Sequence, residues 1–238
     1  MEDTTKGKLY LIPTTLGDNE PLEVLPISIK QTIESVDHYI VENEKTARRF
    51  IKKINPRKSQ QSLQLNLLNK FTEIHEIPTF LKPCLEGVNV GILSEAGCPG
   101  IADPGADVVK IAHEKNIQVV PLVGPSSILL ALMASGFNGQ NFAFNGYLPI
   151  DNSDRKKTLK ALEKKSRELQ QSQIFIETPY RNDKMLQDLT KTLASNTLVN
   201  VSCDITLPTE YIATKKVSEW VHTKIDLHKR PTIFIIQA

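Results

Sequence analysis

Two short stretches hold the residue types best suited to building a ligand site. Residues 94–105 read Ser-Glu-Ala-Gly-Cys-Pro-Gly-Ile-Ala-Asp-Pro-Gly, so Gly97, Gly100 and Gly105 alternate with Pro99 and Pro104. Glycine lets backbone approach a ligand closely and adopt positive φ, while proline fixes the turn. Residues 124–127, Gly-Pro-Ser-Ser, open a helical run of small residues whose free N–H groups suit a carboxylate. Either stretch alone is also an ordinary tight turn. Each is a candidate ligand-binding loop at the edge where open α/β sheets bind their ligands. Four carboxylates accompany them: Glu42 and Glu177 at strand ends, Glu95 and Asp103 inside the first stretch. Asp103 before Pro104 also reads as a helix N-cap with proline at the first helical position, and Glu177 as an ion-pair partner for Arg181. No two histidines show metal-ligand spacing, so no metal is expected.

The elements that must position these residues follow from hydrophobic periodicity. Strands are predicted at residues 8–12, 38–41, 88–93 and 117–121, with helices at 25–34, 44–53, 77–85 and 106–114 between them. Residues 55–69 are polar and read as loop with some helix. Gly87 closes the 77–85 helix in the usual C-terminal manner. This alternation implies a mostly parallel sheet. A second pattern follows: helix 126–135, strand 141–148, a long basic helix 153–171 and strand 173–177. It ends with helix 181–193 and strands 198–203, 210–214 and 232–237, with Trp220 and Phe234 expected in the core. The fold class is therefore α/β in two domains, residues 1–121 and 122–238.

Composition narrows the class without deciding the chemistry. The chain has 238 residues, 40% hydrophobic and 24% charged, which is ordinary for a globular protein. A net charge of +2 gives no global nucleic-acid signature, yet leaves room for local basic patches. Two exist: Arg48, Arg49, Lys52 and Lys53, and the series Arg155, Lys156, Lys157, Lys160, Lys164, Lys165 and Arg167. Each reads either as a phosphate-binding face or as a solvated helix face. Three scattered cysteines, Cys84, Cys98 and Cys203, fit a reducing compartment. The longest apolar helical run, 128–134, is too short to span a bilayer, and residues 1–8 are too polar for a secretory signal. A soluble, cytoplasmic protein without a membrane anchor is expected.

Several segments, taken in order, resemble the tetrapyrrole methylase superfamily of S-adenosylmethionine-dependent enzymes. They are most similar to the branch that methylates a ribose 2′-oxygen of 16S ribosomal RNA. The matching residues begin with Leu9-Tyr10-Leu11-Ile12-Pro13, Leu16-Gly17, Val41-Glu42 and Thr46-Ala47-Arg48, followed by the whole 94–105 stretch. They continue with Pro121-Leu122-Val123-Gly124-Pro125-Ser126-Ser127, Ala134-Ser135-Gly136 and Phe144-Asn145-Gly146-Tyr147-Leu148-Pro149. Glu177-Thr178-Pro179-Tyr180-Arg181 and Asp204-Ile205-Thr206 complete the series. The resemblance implies two α/β domains of tetrapyrrole-methylase type with the cofactor cleft between them, and a homodimer. It implies that Pro13, Ser94, Glu95, Ala96, Gly97, Ile101, Ala102, Asp103, Ser126 and Ser127 contact S-adenosylmethionine. From the second domain it implies Tyr147, Thr178, Pro179 and Pro208.

A sulfonium donor needs alignment more than activation. A ribose hydroxyl, being weakly acidic, would be helped by a positioned base. Glu42 is the first candidate for that base, with Glu95, Asp103 and Glu177 behind it. The chain departs from the ribosomal branch mainly on the acceptor side. Asn43-Glu44-Lys45 stands where that branch typically has Asp then Thr-Arg, and Cys203 and Leu207 stand where it has Arg and Lys. Thr178-Pro179-Tyr180-Arg181 replaces Ser-Pro-His-Arg, and Ser94-Glu95-Ala96-Gly97 replaces Ser-Asp-Ala-Gly. The chain also ends at Ala238, without the extra C-terminal region often found in that branch. Three readings stay open: a methyltransferase acting on RNA or the ribosomal subunit, one acting on a tetrapyrrole or other small molecule, and a non-catalytic cofactor-binding regulatory module.

Overall fold

The first strands are near-continuous apolar runs, Leu9–Ile12, Tyr39–Val41 and Val90–Leu93, so each strand offers an apolar side chain to both faces of its sheet. The computed structural model describes residues 5–238; Met1–Thr4, part of the segment read for a secretory signal, lie outside the described residues. The chain divides into two units between Ser126 and Ser127.

The first unit runs β1 (Leu9–Ile12), α1 (Pro21–Val24), α2 (Ile27–Ser35), β2 (His38–Val41), α3 (Glu44–Ile54) and β3 (Gln64–Leu67). It continues with α4 (Ile77–Phe80), α5 (Lys82–Leu85), β4 (Val90–Leu93), α6 (Ala106–Glu114) and β5 (Val119–Pro121). The five strands are all parallel, in the order β3-β2-β4-β1-β5. One face packs Ile12, Tyr39, Val41 and Leu93 against Ile29 and Ile33 of α2 and Ala47, Ile51 and Ile54 of α3. The other packs Leu9, Ile40, Val90 and Ile92 against Phe80 of α4 and Val108 and Ala112 of α6. Gly91 makes room for the buried Tyr39, since a Cβ there would lie 2.7 Å from Ile12 Cδ1 and 3.0 Å from Tyr39 Cδ1. The Tyr39 hydroxyl donates to Val36 O at 2.8 Å.

Four expectations need correction here. The polar stretch 55–69 contains a strand, β3, pairing in parallel with β2 from His38↔Gln64 to Val41↔Leu67. It is an edge strand with exposed Gln64 and Leu67, so its sequence lacks the apolar run of a central strand. The helix expected at 25–34 starts two residues later, at Ile27, because Pro26 is its N-cap. The one expected at 77–85 is two single turns separated at Leu81. Asp103 caps nothing: α6 starts at Ala106 behind Gly105, whose φ of 135° only glycine adopts without strain.

The second unit runs α7 (Ser127–Ser135), β6 (Phe142–Tyr147), α8 (Asn152–Leu169), β7 (Ser172–Ile176), a 3-10 turn (Pro179–Arg181) and α9 (Asn182–Thr192). It closes with β8 (Leu198–Cys203), β9 (Tyr211–Lys216), α10 (Val217–Trp220), a short helix not foreseen in the sequence, and β10 (Thr232–Gln237). Its sheet is mixed, in the order β6-β7-β10-β8-β9. Strands β6 and β7 are parallel, while β10 is antiparallel to both β7 and β8. Hence β6, β7 and β8 all end on one edge. As expected, Phe234 and Trp220 are core residues: Phe234 stacks on Phe175 with centroids 5.9 Å apart, and Trp220 Nε1 donates to Val199 O at 2.9 Å.

Candidate functional site

Because every strand of the first sheet is parallel, the segments after β1, β2, β4 and β5 leave from one edge. Pro13, Glu42, Ser94 and Gly124 are thereby brought together. Thr14 N–H donates to Gly97 O at 2.9 Å, and the buried Ser94 hydroxyl donates to the same carbonyl at 2.9 Å. Cys98 Sγ lies 3.4 Å from Pro125 O, tying the two glycine-rich stretches to each other. Gly124 packs so tightly on Pro13 that a Cβ would meet the proline ring at 2.2 Å. Gly97 has φ +83°, and even Ala102 is held at φ +61°, a costly conformation for a residue with a Cβ.

The donor chemistry of this loop fits a nucleoside-type cofactor. Among the described residues, the only N–H of residues 96–104 that donates to a main-chain carbonyl is that of Ile101, to Cys98 O at 3.3 Å. The other N–H groups remain available, as a backbone cradle requires. Ile101 and Ala102 are exposed, Ala96 is exposed, and Gly97 is buried beneath them. Ser126 ends the first unit, half-buried, and Ser127 opens α7 in the second.

The carboxylates at this edge are not equivalent. Glu42, just past β2, is half-buried, with Oε1 buried and unpartnered. Burial and the nearby Asp103 and Glu95 push its pKa from 4.5 up to about 7, against the opposing pull of the Glu95 N–H. Asp103 is likewise raised, chiefly by burial and then by Glu95, although the Ser94 hydroxyl opposes the rise; its Oδ2 is buried without a partner. Glu95 is exposed and accepts from Thr46 Oγ1 at 2.6 Å. Glu177, in the other unit, is spent structurally: its carboxylate accepts from Arg181 Nη2 at 2.6 Å and from Thr178 N–H at 2.6 Å. The ion pair read as the alternative for Glu177 is the one present.

A cavity of about 280 Å³ opens beside the loop, lined by Thr14, Thr15, Thr46, Arg49, Ser94 and Glu95 among others. Thr14 and Arg49 were not singled out for this site from the sequence. Thr14 Oγ1 is buried without a partner, and adjacency to Pro13 is the sequence signal that would have found it. Arg49 belongs to the α3 basic cluster, whose members separate into two kinds. Arg48 is held by Glu44 at 2.8 Å and by Gln60 O, and Lys53 by Asp18 and Glu20 at 3.3 Å each and Asn19 O at 2.8 Å. Arg49 and Lys52 are exposed, and Lys45 continues their row at helical spacing. In α8, Arg155 leaves the basic face altogether. It is buried, donates to Asp188 through Nε (2.8 Å) and Nη2 (2.6 Å), and binds the carbonyls of Pro149 and Ile150.

Tyr147, Thr178, Pro179 and Pro208 lie on the shared end of β6, β7 and β8 in the second unit. Tyr147 and Pro208 are exposed, while Thr178 and Pro179 are half-buried. Cys203, which replaces a cation of the ribosomal pattern, is fully buried. Arg230 restores a cation beside it, donating through Nε to Asp204 Oδ2 at 2.8 Å. Among the described residues no cluster of three or more His, Cys, Asp or Glu is arranged to hold a metal, and no helix is long and apolar enough to cross a membrane.

The sequence matches the family described as Tetrapyrrole (Corrin/Porphyrin) Methylases over residues 8–220. It is 32% identical to Ribosomal RNA small subunit methyltransferase I of Bacillus subtilis (strain 168), over 90% of this chain and 68% of that one. The protein of the same name in Escherichia coli O157:H7 is 29% identical over 99% of this chain and 79% of that one. Among solved structures, the methyltransferase CobJ superposes with a TM-score of 0.64 at 14% identity, covering 97% of this chain and 94% of that one. Uroporphyrin-III C-methyltransferase from Thermus thermophilus complexed with S-adenyl homocysteine gives 0.57 at 14% identity, covering 97% of each chain.

Proposed function

The chain belongs to the tetrapyrrole (corrin/porphyrin) methylase family and is an S-adenosylmethionine-dependent methyltransferase, and on that premise we propose that its acceptor is small-subunit ribosomal RNA, methylated on a ribose 2′-oxygen. The observation that carries the acceptor is the identity to the ribosomal RNA methyltransferases: 29–32% over at least 90% of this chain, against 14% for the tetrapyrrole enzymes that share its fold. We place the cofactor on the 94–105 loop, with Pro13, Ser94, Glu95, Ala96, Gly97, Ile101, Ala102, Asp103, Ser126 and Ser127 as its positions. Tyr147, Thr178, Pro179 and Pro208 are carried as further cofactor positions on the resemblance alone.

When bound, S-adenosylmethionine supplies a methyl group already activated as a sulfonium. What the chain must add is alignment and a proton acceptor. The unpaired N–H groups of the loop hold the donor without side-chain rearrangement. Glu42 is the proposed base. Held near neutrality by burial and by two neighbouring carboxylates, its carboxylate accepts the ribose hydroxyl proton. The Arg49 side of the cavity receives the acceptor. A homodimer is proposed as well; Leu129 and Met133, 51% and 77% exposed one helical turn apart on α7, support it. A cytoplasmic location accords with a ribosomal acceptor.

Isothermal calorimetry with S-adenosylmethionine, followed by transfer of labelled methyl to small ribosomal subunits lacking the modification, tests this reading. We expect binding, and label in the RNA at a ribose. Label appearing instead in a small molecule of a metabolite extract, with subunits unmodified, would overturn the acceptor. Ala96 is exposed, so Ala96→Trp leaves the core intact and is expected to abolish cofactor binding; unchanged affinity would remove the loop from the site.

A further inference from the structure

The turn after β7 and the segment before β10 meet on one edge of the second sheet and assemble a cluster invisible in the sequence. Tyr180 is 69% exposed, although the residues around it are fastened down. Arg181 N–H donates to Thr178 O at 2.9 Å, and its guanidinium is held by Glu177 at 2.6 Å. From the other segment, Lys229 N–H donates to Pro179 O at 3.0 Å. Lys229 adopts φ +61°, a strained conformation that the structure keeps. Its Nζ sits 5.8 Å from the Tyr180 ring centroid. His228, exposed and positioned by its N–H to Asp226 Oδ1 at 2.9 Å, meets the same ring edge-on, centroids 5.8 Å apart at 75°. Arg230 is locked through Asp204 at 2.8 Å, so among the described residues of this cluster Lys229 is the side-chain cation without an ion-pair partner.

An exposed aromatic ring on a fastened turn, with a cation near its face, is what a nucleobase needs. The base stacks on the π face while the ammonium reaches the adjoining phosphate. We propose that Tyr180 and Lys229 form a stacking platform for an unpaired base of the RNA acceptor, a subsite adjoining Thr178–Pro179. This rests on the RNA reading above. The chemistry favours RNA over a protein partner because Lys229 sets an ammonium beside the exposed ring, the pairing that a stacked base and its phosphate use. It also gives a role to Tyr180, which departs from the ribosomal pattern.

Steady-state methyl transfer to unmodified small ribosomal subunits, with cofactor affinity measured in parallel by calorimetry, is the test. Tyr180→Ala is expected to raise KM for the subunit about tenfold, as loss of one stacked base does, with kcat within twofold and cofactor affinity unchanged. Tyr180→Phe keeps the ring and is expected to match the wild type. Tyr180→Leu keeps apolar bulk without the π face and is expected to fail like alanine. Lys229→Ala should raise KM severalfold and flatten its salt dependence. If the wild type methylates subunits and Tyr180→Ala has an unchanged KM, the platform is overturned and the RNA reading stands. A wild type that binds cofactor but leaves subunits unmethylated overturns both. A Tyr180→Ala protein that changes from dimer to monomer in sedimentation with KM unaltered assigns the ring to self-association and overturns the platform.

Discussion

Glu42 shows how one residue can be suited to chemistry at the expense of stability. Its side chain ends in a half-dry position with two carboxylates nearby, so the folded protein holds a proton there more tightly than the unfolded chain does. With a folded pKa of about 7 above an ordinary 4.5, the native state binds more protons than the unfolded state across that interval. Stability linked to Glu42 is therefore full below about pH 4.5 and is lost as pH rises towards 7. Glu42→Gln removes the charge without the shape. It is expected to raise stability at pH 8 by about 1 kcal/mol, because solvent reaching the half-buried carboxylate screens part of the penalty. The same substitution is expected to cost about 100-fold or more in kcat, leave cofactor affinity unchanged, and erase the rise in kcat/KM through pH 7. Thermal melts at pH 5 and pH 8, with a pH–rate profile, check both halves; a variant that keeps the pH 7 limb would show that Glu42 is not the base. Position and identity of this carboxylate were legible in the sequence, because it ends a predicted strand. Its elevated pKa was not, since Asp103 and Glu95 approach it only through the fold.

Helix α3 connects that residue to the acceptor side. Asn43 follows Glu42 immediately, and its side chain accepts from Lys45 N–H at 2.9 Å and Thr46 N–H at 3.3 Å, so the helix starts where the base ends. Asn43→Ala should lower stability by about 1 kcal/mol, read from denaturant melts. On the same helix, Arg49→Ala with Lys52→Ala is expected to weaken RNA binding and reduce the slope of log K against log salt by about 1 per residue. Lys53→Ala should alter it less, because Lys53 is spent on Asp18 and Glu20. Equal effects from all three would show that only net charge matters. Elements with strong periodicity, such as β2, α3, α6 and β10, were readable directly from the sequence. Edge strand β3 was not, since an edge strand can be polar, and the start of α2 was misplaced by two residues because Pro26 is its N-cap. The N-cap of α6 went to Gly105 because the loop turns at a positive φ that Asp103 does not supply.

Across the whole chain, each unit encloses its own hydrophobic core, so perturbing one need not unfold the other. The sequence offered a long basic helix in the second unit as a phosphate-binding face, but its first cation is internal. Arg155 is buried against Asp188, and Lys184 Nζ binds the other Asp188 oxygen at 2.6 Å. These cations, against the opposing effect of burial, hold the Asp188 carboxyl below its usual range. Its contribution to stability is thus present at neutral pH and lost as pH falls through the lowered pKa. Deleting one partner of such a pair leaves a buried charge exposed to a poor solvent. Arg155→Ala is therefore expected to cost about 3–5 kcal/mol, whereas an exposed lysine of the same helix, such as Lys160, should cost well under 1. Calorimetric melting should show the loss in the transition of the second unit, with the transition of the first unmoved. The folded Arg155→Ala fraction should bind RNA with an unchanged salt slope, because Arg155 offers no charge to solvent. A reduced slope would return Arg155 to the basic face and contradict its burial; a single shifted transition would show that the two cores melt together.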